Sequence, residues 1–156
     1  MIHFITGKIN SLKTTRLIGL YHAKQKGDGF VMIKEMVDNK VKNYQLMHLS
    51  TNEKNLLVVR EEDKADDFIV DCQIGPYLFD KNVLSKAKAI IDQLIKDNVS
   101  PLYLDEVGIL ELQGQGFFSI MEQIVSSKLD AYIVVRSDLV LKVVEKFHIK
   151  EYEIIS

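Results

Sequence analysis

The strongest constraint on this chain is a loop that opens on glycine, closes on lysine and threonine, and is set between an apolar run and an amphipathic one. Residues Ile2 to Thr6 are, His3 apart, apolar or β-branched and stop at Gly7, the pattern of a buried strand that turns sharply. From Lys13 to Lys26 the apolar positions Leu17, Ile18, Leu20 and Tyr21 recur near helical spacing, and Gly27 is placed to end that helix in a left-handed cap. Strand, loop and helix in this order aim loop amides and a helix N-terminus at one point, an arrangement that receives anions.

The rest of the chain repeats the alternation. Val83, Leu84, Ala87, Ile90, Ile91, Leu94 and Ile95 predict an amphipathic helix over Lys81 to Asn98. Leu102-Tyr103-Leu104 then reads as a strand, followed by a helix around Phe117 to Ser127, a strand at Ala131 to Val135, a helix at Leu139 to Phe147 and a strand at Tyr152 to Ile155. Strands alternating with helices imply an α/β domain with right-handed crossovers and a mostly parallel sheet. Phe30 to Val37 and Val41 to Leu49 are β-rich runs around the turn Asp38-Asn39-Lys40, and Asn55 to Arg60 is a third, so an antiparallel insertion is expected over about 30–60. Nothing marks a linker, and the 156 residues read as a single domain.

Gly7-Lys8-Ile9-Asn10-Ser11-Leu12-Lys13-Thr14 matches the phosphate-binding pattern Gly-x4-Gly-Lys-Ser/Thr at every fixed position except the second glycine, where Leu12 stands. In this reading the backbone from Gly7 through Lys8, Ile9, Asn10, Ser11 and Leu12 cradles phosphates. Lys13 pairs with the terminal phosphates, Thr14 offers a hydroxyl to Mg²⁺, and Thr15 bonds the α-phosphate. The bland alternative is a glycine turn before a solvated basic helix start.

A second signal is Leu102 to Glu106, an apolar strand ending in two carboxylates. Asp105 is placed to hold a metal through water and Glu106 to polarise an attacking water. An exposed acidic turn would look the same taken alone, but both signals fall at the C-terminal edge of the expected parallel sheet, where such sites form.

With these residues in view the sequence resembles the small thermophilic and cancer-related nucleoside-triphosphatases of the P-loop class. The resemblance spans most of the chain. It rests on the opening loop from Ile5-Thr6-Gly7 to Lys13-Thr14-Thr15, on Gly29-Phe30 followed by Glu35, on Tyr44, and above all on Leu104-Asp105-Glu106-Val107-Gly108-Ile109-Leu110-Glu111-Leu112. It implies a RecA-like three-layer sandwich, Mg²⁺ as cofactor, Asp105 as the magnesium residue, Glu106 as the base, and broad preference among nucleotides such as ATP and GTP. The sequence departs from that family at two loop glycines, replaced by Asn10 and Leu12. Asn tolerates a left-handed backbone, whereas Leu adds a branched side chain where close phosphate approach favours Gly. No closing helix follows the last expected strand, which implies a less enclosed base pocket.

Other residues carry weaker signals. Glu111 is placed either to reach substrate or to cap the following helix. Arg136, at a strand's C-terminal end, sits where a terminal-phosphate sensor would, or forms an ordinary surface ion pair. Lys8 occupies the signature position of dimeric deviant P-loop ATPases without that motif's glycines. The four histidines lack metal-ligand spacing, and Phe117-Phe118 read as core contacts. Lone Cys72 lies in an apolar stretch as a buried thiol, which fits a reducing, cytoplasmic setting.

A formal charge of −2 disfavours nucleic acid as a partner, and the amino terminus is too short and uncharged for a secretory signal or membrane span. The reading is therefore Mg²⁺-dependent hydrolysis of a nucleoside triphosphate, with Lys13 and Glu106 catalytic. Two alternatives stand beside it: a nucleotide-binding protein without turnover, which Leu12 favours, and a kinase, against which the absence of an arginine-rich lid speaks.

Overall fold

The computed structural model describes residues 1–8 and 12–156. Strand β1 (Ile2–Ile5) leads to helix α1 (Lys13–Lys24), followed by β2 (Asp28–Val37), β3 (Lys40–His48), β4 (Lys54–Arg60), β5 (Val70–Ile74) and β6 (Tyr77–Asp80). Then come α2 (Lys81–Lys96), β7 (Leu102–Val107), α3 (Ile109–Leu112), α4 (Phe118–Ser127), β8 (Ala131–Val135), α5 (Val140–Lys146) and β9 (Tyr152–Ile155).

The strands form one nine-stranded sheet in the order β5-β6-β4-β3-β2-β7-β8-β1-β9. From β2 through β7, β8 and β1 to β9 every pairing is parallel, and from β2 outward through β3, β4 and β6 to β5 every pairing is antiparallel. β2 is the seam between the two halves. The first strand after the loop-bearing helix therefore serves both a crossover sheet and a hairpin meander.

Helices cover both faces. Leu17 of α1 packs with Val31, Tyr103, Tyr132 and Val134 on one face. On the other, Leu84, Ala87 and Ile91 of α2, Ile120 and Ile124 of α4, and Val143 of α5 close over Phe4, Phe30, Leu102, Leu104 and Ile133. Each fully buried aliphatic or aromatic side chain contributes roughly 1.5–3 kcal/mol, so these two clusters set the three layers. Asp80 starts α2 firmly, its carboxylate accepting the amides of Asn82 at 2.8 Å and Val83 at 3.1 Å, a cap worth about 1 kcal/mol. No helix among the described residues is long and apolar enough to cross a membrane.

Several boundaries differ from the sequence reading. The left-handed cap of α1 falls on Gln25 (φ 54°), whose amide donates to the Tyr21 carbonyl at 3.0 Å, and Gly27 lies beyond it. Gly27 is needed for a different reason: a Cβ there would stand 2.1 Å from the Pro101 carbonyl oxygen. The antiparallel part runs on past residue 60 through β5 and β6, and the residues after Glu106 include the short helix α3. Cys72 is buried as expected, and burial pushes its thiol up to about 11.

Asp28, at the start of β2, is buried and fully engaged. Its Oδ1 accepts the amides of Gly29 at 2.8 Å and Ser50 at 3.0 Å, and its Oδ2 meets the Ser50 hydroxyl at 2.7 Å and His48 Nε2 at 2.6 Å. This cluster ties the β3–β4 turn to the end of the sheet opposite the loop after β1.

Candidate active site

The strand order places β8 between β1, which runs into the Gly7 loop, and β7, which ends in Asp105-Glu106. The loop and the two carboxylates thus meet at the C-terminal ends of three adjacent parallel strands. Of the residues expected to bind phosphate, Ile9, Asn10 and Ser11 lie outside the described residues.

Leu12 precedes α1 with φ 62° and ψ 31°, the left-handed conformation that glycine adopts without strain. Its carbonyl accepts the Arg16 amide at 3.0 Å, so helix propagation starts normally. A left-handed leucine costs roughly 1–2 kcal/mol, and its side chain is turned outward, 70% exposed. The loop's departure from glycine is absorbed as backbone strain, with the branched side chain in solvent.

Lys13 is buried, and its Nζ donates to the Lys8 carbonyl at 2.7 Å. The Arg16 guanidinium donates to the Thr6 carbonyl, which braces the base of the loop against the first turn of α1. Thr15 is exposed. The Thr14 hydroxyl crosses from α1 to β7, donating to Asp105 Oδ2 at 2.7 Å.

Asp105 itself is fully buried. It lies in a break of the β7–β8 ladder, where the register shifts between Leu104 and Val107 and an extra residue on β7 re-aims the side chains. The same Oδ2 also accepts the Met32 amide of β2 at 3.1 Å, while Oδ1 is buried with no partner among the described residues. Burial lifts this carboxyl to about 7, opposed by the Thr14 hydrogen bond and reinforced by neighbouring Glu106.

Glu106 reaches solvent, yet the protein packed around its carboxyl raises its pKa, and Lys13, Arg136 and Lys34 pull it back down. Three cations therefore act through space on this one carboxylate. Tyr44, from β3, feels both Glu106 and Asp105: burial first, then Tyr77 and these two carboxylates, hold its phenol above the usual range. Tyr44 packs edge-on to Tyr77 with centroids 6.2 Å apart.

Glu111 has an internal role. It is buried, and its two oxygens accept the amides of Gly108 at 2.7 Å and Phe117 at 2.8 Å. It caps the start of its own helix, α3, and pins the entry to α4, where Gly116 (φ 63°) leaves room that a Cβ would take from Glu111 Oε2. Burial holds its carboxyl near 7. Of the other sequence signals, Arg136 follows β8 and pairs with Asp138, His3 bonds Glu153 and stacks on Tyr132, and Phe117 is core.

Sequence reasoning missed the Met32 amide and Lys34. A backbone donor leaves no side-chain signature, and a single lysine near a hairpin reads as surface.

Comparison with known proteins shows the family and the fold. A family model described as NTPase matches residues 3–156. A search of the curated proteins by sequence finds no match. Among solved structures the chain is similar to THEP1 from the hyperthermophile Aquifex aeolicus, with TM-score 0.72 and 18% identity over 100% of this chain and 89% of that one. It is also similar to the solution structure of a human cancer-related nucleoside triphosphatase, with TM-score 0.66 and 17% identity over 98% of this chain and 86% of the other. At such identities the likeness is one of fold.

Proposed function

The chain belongs to the NTPase family, and from that premise we propose that it is a magnesium-dependent hydrolase releasing phosphate from ATP or GTP, working as one cytoplasmic domain over residues 1–156. The observation that carries this reading is the 2.7 Å hydrogen bond from Thr14 to Asp105, which joins two motifs 91 residues apart.

The residues present suit a hard divalent cation. Asp105 Oδ1, without a partner among the described residues, is a buried acceptor with a free lone pair, and the Thr14 hydroxyl near it is a second oxygen donor. A bound magnesium ion would offset charge on the β- and γ-phosphate oxygens. Lys13 exchanges the Lys8 carbonyl for those phosphates, a gain because a charge-assisted bond replaces a bond to a neutral carbonyl. Glu106 orients a water for in-line attack and accepts its proton. As the water oxygen bonds to the γ-phosphorus, the bond from that phosphorus to the bridging oxygen breaks. Its electron pair stays on the departing diphosphate.

Phosphate release from ATP and GTP by the purified chain tests the proposal. Glu106→Gln is expected to lower kcat about 10²–10⁴-fold while nucleotide affinity stays within a few-fold. A Glu106→Gln enzyme as fast as the wild type removes Glu106 from the reaction. A second reading, binding without turnover, draws on the strained Leu12 and predicts tight calorimetric binding with no phosphate released.

A further inference from the structure

Arg136 is the first residue after β8, and β8 is the strand wedged between the loop-bearing β1 and the carboxylate-bearing β7. The segment that follows is held against the loop, with the Ser137 amide donating to the Gly7 carbonyl at 3.2 Å.

The guanidinium forks onto a single solvated partner, Asp138, two residues on, with Nε donating to Oδ1 at 2.5 Å and Nη2 to Oδ2 at 3.0 Å, and the side chains are 30% and 62% exposed. Solvated pairs of this kind are weak and easily exchanged. A terminal phosphate presents two or three oxygens to the same planar fork, in a bidentate and charge-assisted contact that Lys13 cannot duplicate as a point charge.

We propose that Arg136 is a catalytic residue supplied in cis, leaving Asp138 to grip the terminal phosphate of the bound nucleotide, and that Asp138 holds it back until that phosphate arrives. Arg136 neutralises charge on the γ-phosphate oxygens while water attacks, and takes no proton. Asp138 is a competitor for the same guanidinium, so the pair acts as a selector for triphosphate over diphosphate. The inference rests on the proposed phosphohydrolase reading.

The test measures two quantities in magnesium buffer for wild type, Arg136→Ala, Arg136→Lys and Asp138→Asn. One is kcat for ATP; the other is the calorimetric affinity gap between a non-hydrolysable ATP analogue and ADP. In Arg136→Ala the gap is expected to collapse from about tenfold to less than threefold with ADP affinity unchanged, and kcat to fall about 10²–10³-fold. Arg136→Lys should recover part of both, and Asp138→Asn should widen the gap only when Arg136 is present. Because the side chain is solvated, Arg136→Ala should melt within a degree or two of wild type. A wild type that hydrolyses ATP alongside an Arg136→Ala variant with the same gap and rate overturns the inference and leaves the hydrolase reading intact. A wild type that neither binds nor cleaves nucleotide overturns both, and one that binds without turnover still decides through the gap.

Discussion

Asp28 and Asp105 lie at opposite ends of one pair of parallel strands, β2 and β7, whose register matches Asp28 with Leu102. Both carboxylates are buried. Among the described residues Asp28 accepts from or meets four groups, two on each oxygen, whereas Asp105 has two donors on Oδ2 and none on Oδ1. A buried polar atom without a partner costs about 1–3 kcal/mol, so the second arrangement is not one that folding alone would select. On the proposed reading, the contrast separates a carboxylate that closes a turn from one kept short of partners for a ligand.

The largest expected effect tests function at the two ends. Asp105→Asn should cut phosphate release about 10³-fold, whereas Asp28→Asn, at the far end of the sheet, should keep kcat within about threefold at a temperature where it is folded. Equal losses in steady-state assays would break the comparison.

Stability should move in the opposite sense. Asp105→Asn can keep both Oδ2 contacts while removing a buried charge. It should therefore raise the unfolding free energy at pH 8 by about 2–4 kcal/mol in urea titrations, and Asp28→Ala should lower it by about 2–4 kcal/mol. The pH dependence sharpens this. Asp105 and Glu111 hold their protons up to about 7 in the fold, above their unfolded values near 4. The folded state binds more protons in between, so the ligand-free protein loses stability as pH rises from about 4 to 7, by up to ~1.4 kcal/mol per unit for each group. Urea midpoints should fall across that window in wild type and fall less in Asp105→Asn. A flat or rising profile would remove the burial cost assigned to the active end.

The smallest effect concerns the loop. Leu12→Gly relieves a left-handed leucine and gains flexibility in the unfolded chain, for a net change of about 0.5–1 kcal/mol in the stabilising direction. A differential melting curve with no shift would show that the strain at Leu12 is offset locally.

The candidate-site end was more legible in the sequence than the rest. Asp105 and Glu106 announce themselves because carboxylates closing an apolar strand have few structural reasons to be there, and Lys13 and Thr14 because a glycine loop between a strand and a helix ends on them. The β5–β6 hairpin was less legible: Val70, Cys72 and Ile74 alternate with Asp71 and Gln73, but over only five residues, and Cys72 alone among them is buried, so the pattern marks no core-facing strand. Helix α3, four residues long, is too short for any periodicity. The choice between Glu111 as ligand and as cap depended on where the Gly108 and Phe117 amides point, which composition does not encode. The path of Ile9, Asn10 and Ser11 lies outside the described residues.

The seam strand has a consequence for how such a chain can vary. Through its Met32 amide, β2 helps aim Asp105, while its outer half pairs only with β3. Lengthening or trimming the hairpin beyond Lys34 leaves the buried Asp105 carboxylate undisturbed. A single residue inserted between Gly29 and Met32 would rotate every following side chain to the opposite face and withdraw the amide. The hairpin is thus a free margin for diversification on its distal side and a fixed gauge on its proximal one.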